Sequence, residues 1–262
     1  TFSHKNEKAT AGYYSVKLDN GILVELTAGQ HVGVHRYTFP KGATSKGIII
    51  DLSHRDKTII SSMTYDGSQV YGFRRSEAWN PDQHCDFSLL SSQPFQKIEF
   101  FSDEKPVNGS TTRGTNCKAI LYFDKNIQDV VIKVSISAVD IQGAIENQKE
   151  IKHYDFDKVK AQAVEAWDKE LGKIKVETKD KERLTVFYTA LYHSFTSPYL
   201  YTDLDGRYRG MDGRIQIADQ GRQVYTVFSL WDTYRALHPL LNIIDRKRTE
   251  DFLYTFLQHY RQ

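Results

Sequence analysis

Several residue types are scarce in this chain, and each shortage excludes something. The 262 residues hold two cysteines, two methionines, three tryptophans and six prolines. Cys85 and Cys117 are too few for a disulfide framework; both lie in strand-like stretches, where one bridge or two separate buried thiols fit equally well. No apolar run approaches the roughly 20 residues that a membrane-spanning helix needs. Neither sign of charge prevails, with 35 Lys and Arg against 33 Asp and Glu. The two signs are interspersed, so no basic stripe points to nucleic acid. GxSxG, a Walker loop and GxGxxG are all missing, which removes the serine-hydrolase and nucleotide motifs. His31 and His35 share a strand face, but no third ligand at metal-site spacing follows, so zinc is not expected.

What is present is apolar residue at 40% and aromatic residue at 13%, enough for a proper core. From Tyr13 to Val139 short apolar runs recur at roughly ten-residue intervals, the rhythm of an antiparallel β-sandwich. The expected strands are Tyr13–Leu18, Ile22–Ala28, Val32–Phe39, Gly47–Leu52, Thr58–Thr64, Gln69–Arg74, Cys85–Leu90, Phe95–Phe101, Cys117–Phe123 and Val130–Ala138. Val130, Ile132, Val134 and Ile136 fall on one face, and Ile48–Ile50 reads as buried on both. Asp19-Asn20-Gly21 marks a hairpin turn. The polar stretch Asp103–Asn116 reads as a loop.

After about Ile141 the period changes. Val159, Ala163, Ala166, Trp167 and Leu171 recur at three- and four-residue spacing, predicting a helix over 157–174 that Asp155 or Asp157 could cap. A second helix is expected at Lys181–Ser194, burying Leu184, Phe187, Leu191 and Phe195, with Pro198 after it. Tyr199–Arg222 reads as a long polar loop with strand-like pieces. Gln223–Leu237 and Asp245–Gln262 read as further helices separated by Pro239. This organisation divides into a β-sandwich over 1–140, a helical linker over 141–181 and the opening helices of an all-α domain over 182–262. The first residue is not Met, and the last helical pattern stops without a Gly, Asn or Pro signal, so a fragment is expected.

The chemistry-bearing residues crowd into Tyr201–Pro239. Asp203-Leu204-Asp205-Gly206 opens like a calcium-binding EF-hand loop, but the twelfth position is Arg214 where a glutamate is required. An ordered loop in which Arg207, Arg209 and Asp212 form ion pairs fits better. Trp231 and Asp232 follow on a helix-like stretch. There the indole could pack in the core and Asp232 could pair with Arg235, or both could face a ligand. A carboxylate beside an indole suits a sugar, whose hydroxyls and C–H face they match. A third stretch, Tyr71–Pro81, carries Arg74, Arg75 and Trp79 and reads as a strand running into a solvated turn anchored by Trp79.

Longer motifs carry a resemblance. FSHKNEKATAGYYSVKL (Phe2–Leu18), HRYTFP (His35–Pro40), GFRRSEAW (Gly72–Trp79), WDKEL (Trp167–Leu171), FYTALYHS (Phe187–Ser194), DLDGRYRGMDG (Asp203–Gly213) and YTVFSLWDTYRALHPLL (Tyr225–Leu241) together resemble glycoside hydrolase family 92. The resemblance implies a β-sandwich followed by a helical linker and the first helices of an (α/α)6 barrel. It implies a calcium-dependent exo-α-mannosidase that hydrolyses terminal, α-1,2-linked mannose from N-glycans or mannan with inversion. In such a reaction an acid protonates the leaving oxygen and a base activates water, the two carboxyls standing roughly 6.5–9.5 Å apart. By the same resemblance the acid, the base and the Ca2+ ligands lie beyond residue 262, so these residues alone are expected to be inactive. The remainder of the polypeptide, or a second chain, would complete the barrel. Trp231 and Asp232 are the expected contacts to the terminal mannose, Arg209 and Asp212 secondary pocket residues, and Arg74 and Trp79 residues at the sandwich–barrel boundary. The implied location is the periplasm, the cell surface or the medium of a bacterium. The alternative is a carbohydrate-binding or purely structural sandwich without catalysis.

Overall fold

Alternating strands build the first half. In chain order they are β1 (Phe2–Thr10), β2 (Tyr13–Leu18), β3 (Leu23–Ala28), β4 (Val32–Thr38), β5 (Gly47–Asp51), β6 (Lys57–Tyr65), β7 (Val70–Glu77), β8 (Gln83–Ser91), β9 (Lys97–Ser102), β10 (Lys105–Val107), β11 (Thr111–Gly114), β12 (Cys117–Tyr122) and β13 (Asp129–Ser137). The computed structural model describes every residue, Thr1–Gln262, and the chain divides into two compact units, Thr1–Ala161 and Gln162–Gln262.

In the first unit one sheet has nine strands, in the order β1-β2-β3-β4-β13-β8-β7-β6-β11, and another has four, β10-β9-β12-β5. A shared core joins them. Met63, Val70, Phe87, Leu89, Val130 and Ile132 from the large sheet are buried with Phe100, Cys117, Ala119 and Leu121 from the small one. Full burial of each large apolar side chain contributes roughly 1.5–3 kcal/mol, so this core is the main stabilising element of the unit. The β2–β3 hairpin turns at Gly21, whose φ of +86° only glycine adopts without strain, and its N–H donates to the Leu18 carbonyl at 2.9 Å.

The other face of the large sheet is covered too. Helix α1 (Ile141–Asn147) is capped by Asp140, which accepts from the Gly143 N–H at 2.6 Å. A 3-10 turn, Gln148–Glu150, and helix α2 (Phe156–Leu171) follow. Val32, Val34, Ile151, Phe156 and Val159 form a second cluster there. Polar ties fix the same layer. Ser135 donates to the Ala144 carbonyl at 2.5 Å, Gln148 to that of Ser88 at 2.8 Å, and buried Lys133 to that of Ile151 at 2.7 Å. Arg36 bridges Glu25 and Asp157 at 2.6 and 2.8 Å.

The second unit continues with α3 (Lys181–Thr196), β14 (Tyr199–Leu200), β15 (Arg207–Arg209), β16 (Ile215–Ile217), β17 (Tyr225–Thr226), α4 (Leu230–Thr233), α5 (Leu237–Ile244) and α6 (Arg246–Arg261). Trp167 packs on Tyr192 with ring centres 4.5 Å apart. Tyr225, Phe228 and His238 each meet the ring of Phe252, and Phe228 also meets Phe256. Leu191, Val224 and Leu241 are buried.

The structure amends several sequence expectations. β1 adds an edge strand before the first expected one, and its residues are nearly all exposed and carry no apolar alternation. Asp103–Asn116 is not a plain loop but contains β10 and β11. Ile49 is 67% exposed while Ile48 and Ile50 pack against the shared core, so Ile48–Ile50 is covered on one face only. Ile136 is exposed because the face buried at that end of β13 is the one carrying Lys133, Ser135 and Ser137. Ala166 is exposed as well. Asp155 rather than Asp157 caps α2, accepting from the Lys158 N–H at 3.0 Å. Gln223–Leu237 is not one helix, since β17 and the single turn of α4 occupy it. Pro239 lies in the first turn of α5, where its missing N–H leaves no helical bond unmade. Cys85 and Cys117 are both free thiols.

Candidate functional site

In the second unit the acidic and basic residues of Tyr201–Arg222 are largely engaged with their own loop. The Asp205 carboxylate accepts from the Arg207 N–H at 3.0 Å and from its Nε at 2.6 Å. Arg209 Nη1 donates to the Gly213 carbonyl at 3.0 Å. Asp212 accepts from the Arg214 N–H at 2.9 Å and lies 3.7 Å from that guanidinium. The result is the β15–β16 hairpin, closed by the Gly213 N–H donating to Gly210. Gln262, the residue after α6, anchors it, accepting from the Met211 N–H and donating to Tyr208 Oη, each at 2.9 Å. The expected ion pairing is present between Asp205 and Arg207 and between Asp212 and Arg214, and Arg209 also grips the Gly213 carbonyl.

The fit of this loop to calcium is poor. A calcium site gathers six to eight oxygens, whereas the Asp205 and Asp212 carboxylates face arginines. No group of three or more His, Cys, Asp or Glu side chains assembles into a cation cage.

Trp231 and Asp232 sit on α4 and behave differently. The indole is 88% exposed, so it does not pack into the core. Asp232 does not pair with Arg235; the Ser229 hydroxyl donates to its Oδ2, and the side chain remains open to solvent. Arg235 instead donates from Nε to Tyr234 Oη at 2.6 Å. Tyr234 and Leu230 are also exposed. α4 and the two residues after it thus present an indole, a carboxylate, a phenol and a guanidinium within five residues. Val227, just before it, has φ +61°, a genuine outlier for a β-branched residue and the kind of strain that gathers at functional sites. Neither Tyr234 nor the strained Val227 carries a sequence signal of its own. The left-handed region carries no apolar signature unless the residue is glycine or asparagine.

In the first unit Arg74 has a structural task. Its Nε donates to the Leu52 carbonyl at 2.7 Å, its Nη2 to that of Asp56 at 3.0 Å, and it pairs with the Asp56 carboxylate. These bonds fold the β5–β6 loop back on itself around Arg55, whose φ is +94°. Trp79 is fully exposed and therefore does not anchor its turn. That role falls to Asn80, whose carbonyl accepts from the Ala78 N–H at 3.0 Å and whose side chain accepts from the Asp82 N–H at 2.9 Å. Arg75 and Asp82 pair beneath it at 2.6 Å.

Comparison with known proteins agrees with this layout. The glycosyl hydrolase family 92 N-terminal domain matches residues 1–137, and the family 92 catalytic domain matches 143–262. A family GH92 alpha-mannosidase from Bacteroides thetaiotaomicron superposes with a TM-score of 0.93 at 35% identity, covering 100% of this chain and 37% of that one. A family GH92 inverting mannosidase from Bacteroides thetaiotaomicron VPI-5482 superposes with a TM-score of 0.90 at 25% identity, covering 99% of this chain and 36% of that one. A protein of Arthroderma benhamiae described as an uncharacterized secreted glycosidase is 27% identical over 228 residues, 74% of this chain and 29% of its own length. The chain thus spans about a third of these relatives. With an antiparallel sandwich matched to the family's N-terminal domain and the following helices to its catalytic domain, this chain belongs to glycosyl hydrolase family 92.

Proposed function

We propose that these residues form part of an inverting, calcium-dependent exo-α-mannosidase acting on terminal α-1,2-linked mannose of N-glycans or mannan. The observation that carries the reading is the exposed Trp231–Asp232 pair on α4, within a chain of this family. Two of the structural relatives are mannosidases, one of them inverting. An indole face matches the C–H surface of a pyranose, and a carboxylate accepts from its hydroxyls. In this reading Trp231 covers the terminal mannose and Asp232 holds its hydroxyls. Arg209 and Asp212 order the neighbouring hairpin. The general acid, the general base and the oxygens that hold calcium lie outside these 262 residues, as does the remainder of the barrel. Calcium, when bound, would orient the sugar and stabilise developing charge. A secreted, cell-surface or periplasmic location fits a relative described as secreted, and no helix is long and apolar enough to cross a membrane.

The test joins these residues to the rest of a family 92 catalytic domain and measures hydrolysis of α-1,2-mannobiose, with the product anomer followed by NMR. Asp232→Ala and Trp231→Ala should each lower kcat/KM by at least tenfold, since one good charged hydrogen bond or stacked ring contributes over 1 kcal/mol. Full activity of either variant would overturn the assignment. So would full turnover by the 262 residues alone.

The full exposure of Trp79 supports a second reading, in which the sandwich itself holds glycan. It requires that Trp79→Ala abolish binding of mannose oligosaccharides in calorimetry while Trp231→Ala leaves it intact.

A further inference from the structure

Asn-Gly occurs twice in this chain, at Asn20–Gly21 and Asn108–Gly109, and the fold treats the two in opposite ways. The dipeptide is chemically weak because glycine leaves its backbone nitrogen unshielded by a side chain. That nitrogen can attack the asparagine Cγ if its N–H is free and the asparagine side chain can swing over it.

Asn20 lacks both freedoms. The Gly21 N–H is held by the Leu18 carbonyl at 2.9 Å, and Asn20 Oδ1 accepts from the Ile22 N–H at 3.2 Å. The turn is clamped between paired strands, with Lys17 opposite Leu23. Asn108 has both freedoms. It follows the last residue of β10, is exposed, and neither its side chain nor the Gly109 N–H has a hydrogen-bond partner. Gly109 has φ +101°, and a Cβ built on it would meet nothing within 4 Å.

The geometry points to Asn108 as a spontaneous deamidation site and to Asn20 as a protected one. The Gly109 nitrogen forms a bond to Asn108 Cγ as the Cγ–Nδ2 bond breaks. Ammonia leaves with the former amide proton, and a cyclic imide remains. Water then opens the ring. Cleavage at Cγ leaves aspartate, and cleavage at the main-chain carbonyl leaves isoaspartate. No electrons are gained or lost, and water is the co-reactant.

The position makes the change consequential. Residues 108–110 link β10 to β11, the terminal strands of the two sheets. Just before the link Val107 packs against the shared core, and at its end the Ser110 carbonyl accepts from the Tyr65 N–H at 2.8 Å. Isoaspartate inserts an extra backbone carbon and a negative charge into that link. This chemistry does not depend on the glycosidase reading.

The test incubates the folded chain at mildly alkaline pH and follows both asparagines by peptide mapping, with isoaspartate detected by an isoaspartyl methyltransferase. Asn108 should convert at least about tenfold faster than Asn20, the factor expected when the slower site must first break two hydrogen bonds. In urea, where both sites lose their structure, the two rates should converge. Equal rates in the folded chain would overturn the proposal, as would faster conversion at Asn20. So would an Asn108 that stays intact when folded yet converts in urea.

Discussion

Lys173 reaches Asp245, its Nζ 2.7 Å from the carboxylate, and thereby ties the segment after α2 to the residue that opens α6. The pair belongs to a closed ring of four charges. Lys173 also meets Glu170 at 2.7 Å, and Arg248 meets Glu170 at 3.0 Å and Asp245 at 3.1 Å. Phe195 lies under both cations, 5.1 Å from Lys173 and 4.9 Å from Arg248. Burial would raise the Asp245 pKa, but the bond from Lys173 and the nearby Arg248 hold it below the usual carboxylate value.

Lys173→Met should therefore destabilise the second unit by about 1–3 kcal/mol, because two partly buried carboxylates lose a charged donor. Trp167 fluorescence during urea unfolding reads this unit. A double-mutant cycle with Asp245→Asn should show coupling, since the two side chains touch. Purely additive effects would mean that the ring is decorative.

Glu150 supplies a pH-dependent tie in the first unit. Its carboxylate accepts from the N–H groups of Gln30 and His31 at 2.6 and 2.8 Å, and it fills the space where a Cβ on Gly29 would stand. Burial pushes its pKa up, but the His31 side chain and the two N–H groups outweigh that and lower it overall. A lowered folded pKa means stability that is complete above the unfolded value of about 4.3 and is lost as pH falls through the lower folded value. Glu150→Gln should reduce stability at neutral pH and flatten the profile below about pH 4. Thermal unfolding between acid and neutral pH checks this. An unchanged slope in the variant counts against the role.

Arg74→Ala should cost about 1–3 kcal/mol, since Asp56 and the Leu52 carbonyl lose a charged donor in a part-buried loop. Arg55→Gly should be neutral or stabilising by up to about 1 kcal/mol, because it relieves a positive φ. Thermal shift on both variants separates a loop-holding Arg74 from one that contacts only ligand. In the latter case Arg74→Ala would leave the melting temperature unchanged.

Trp79→Ala and Trp231→Ala should each change folding stability by less than about 0.5 kcal/mol, the range for surface sites. Both indoles are exposed, at 104% and 88%. A larger loss in urea unfolding would show that one of them packs in solution.

Legibility in the sequence tracked burial. Val130 and Ile132 alternate because one sheet face packs on a core, and that period can be counted along the chain. The helices α2, α3 and α6 were visible for the same reason at the longer period. β1 was not, because a nearly fully exposed edge strand has no apolar pattern to count. β10 and β11 escaped because three- and four-residue strands in a polar, glycine-containing stretch look like a loop. Around Trp231 the apolar and aromatic residues suggested a long helix, yet the chain forms one turn after a left-handed Val227.

The sequence by itself determined the order of the architecture, strands first and helices after, because hydrophobic period is a local property of the chain. Its motifs carried the family likeness, and the spacing of Asp203, Asp205 and Arg214 excluded an EF-hand. Only the tertiary structure decided which polar residues have partners. Arg74 folds a loop, Asp205 holds Arg207, and Trp231 faces water, because partner choice depends on which distant segments meet. Asn20 and Asn108 show the same division within a single dipeptide. Their local chemistry is identical, and only the hydrogen bonds of a closed hairpin slow one and leave the other free to react.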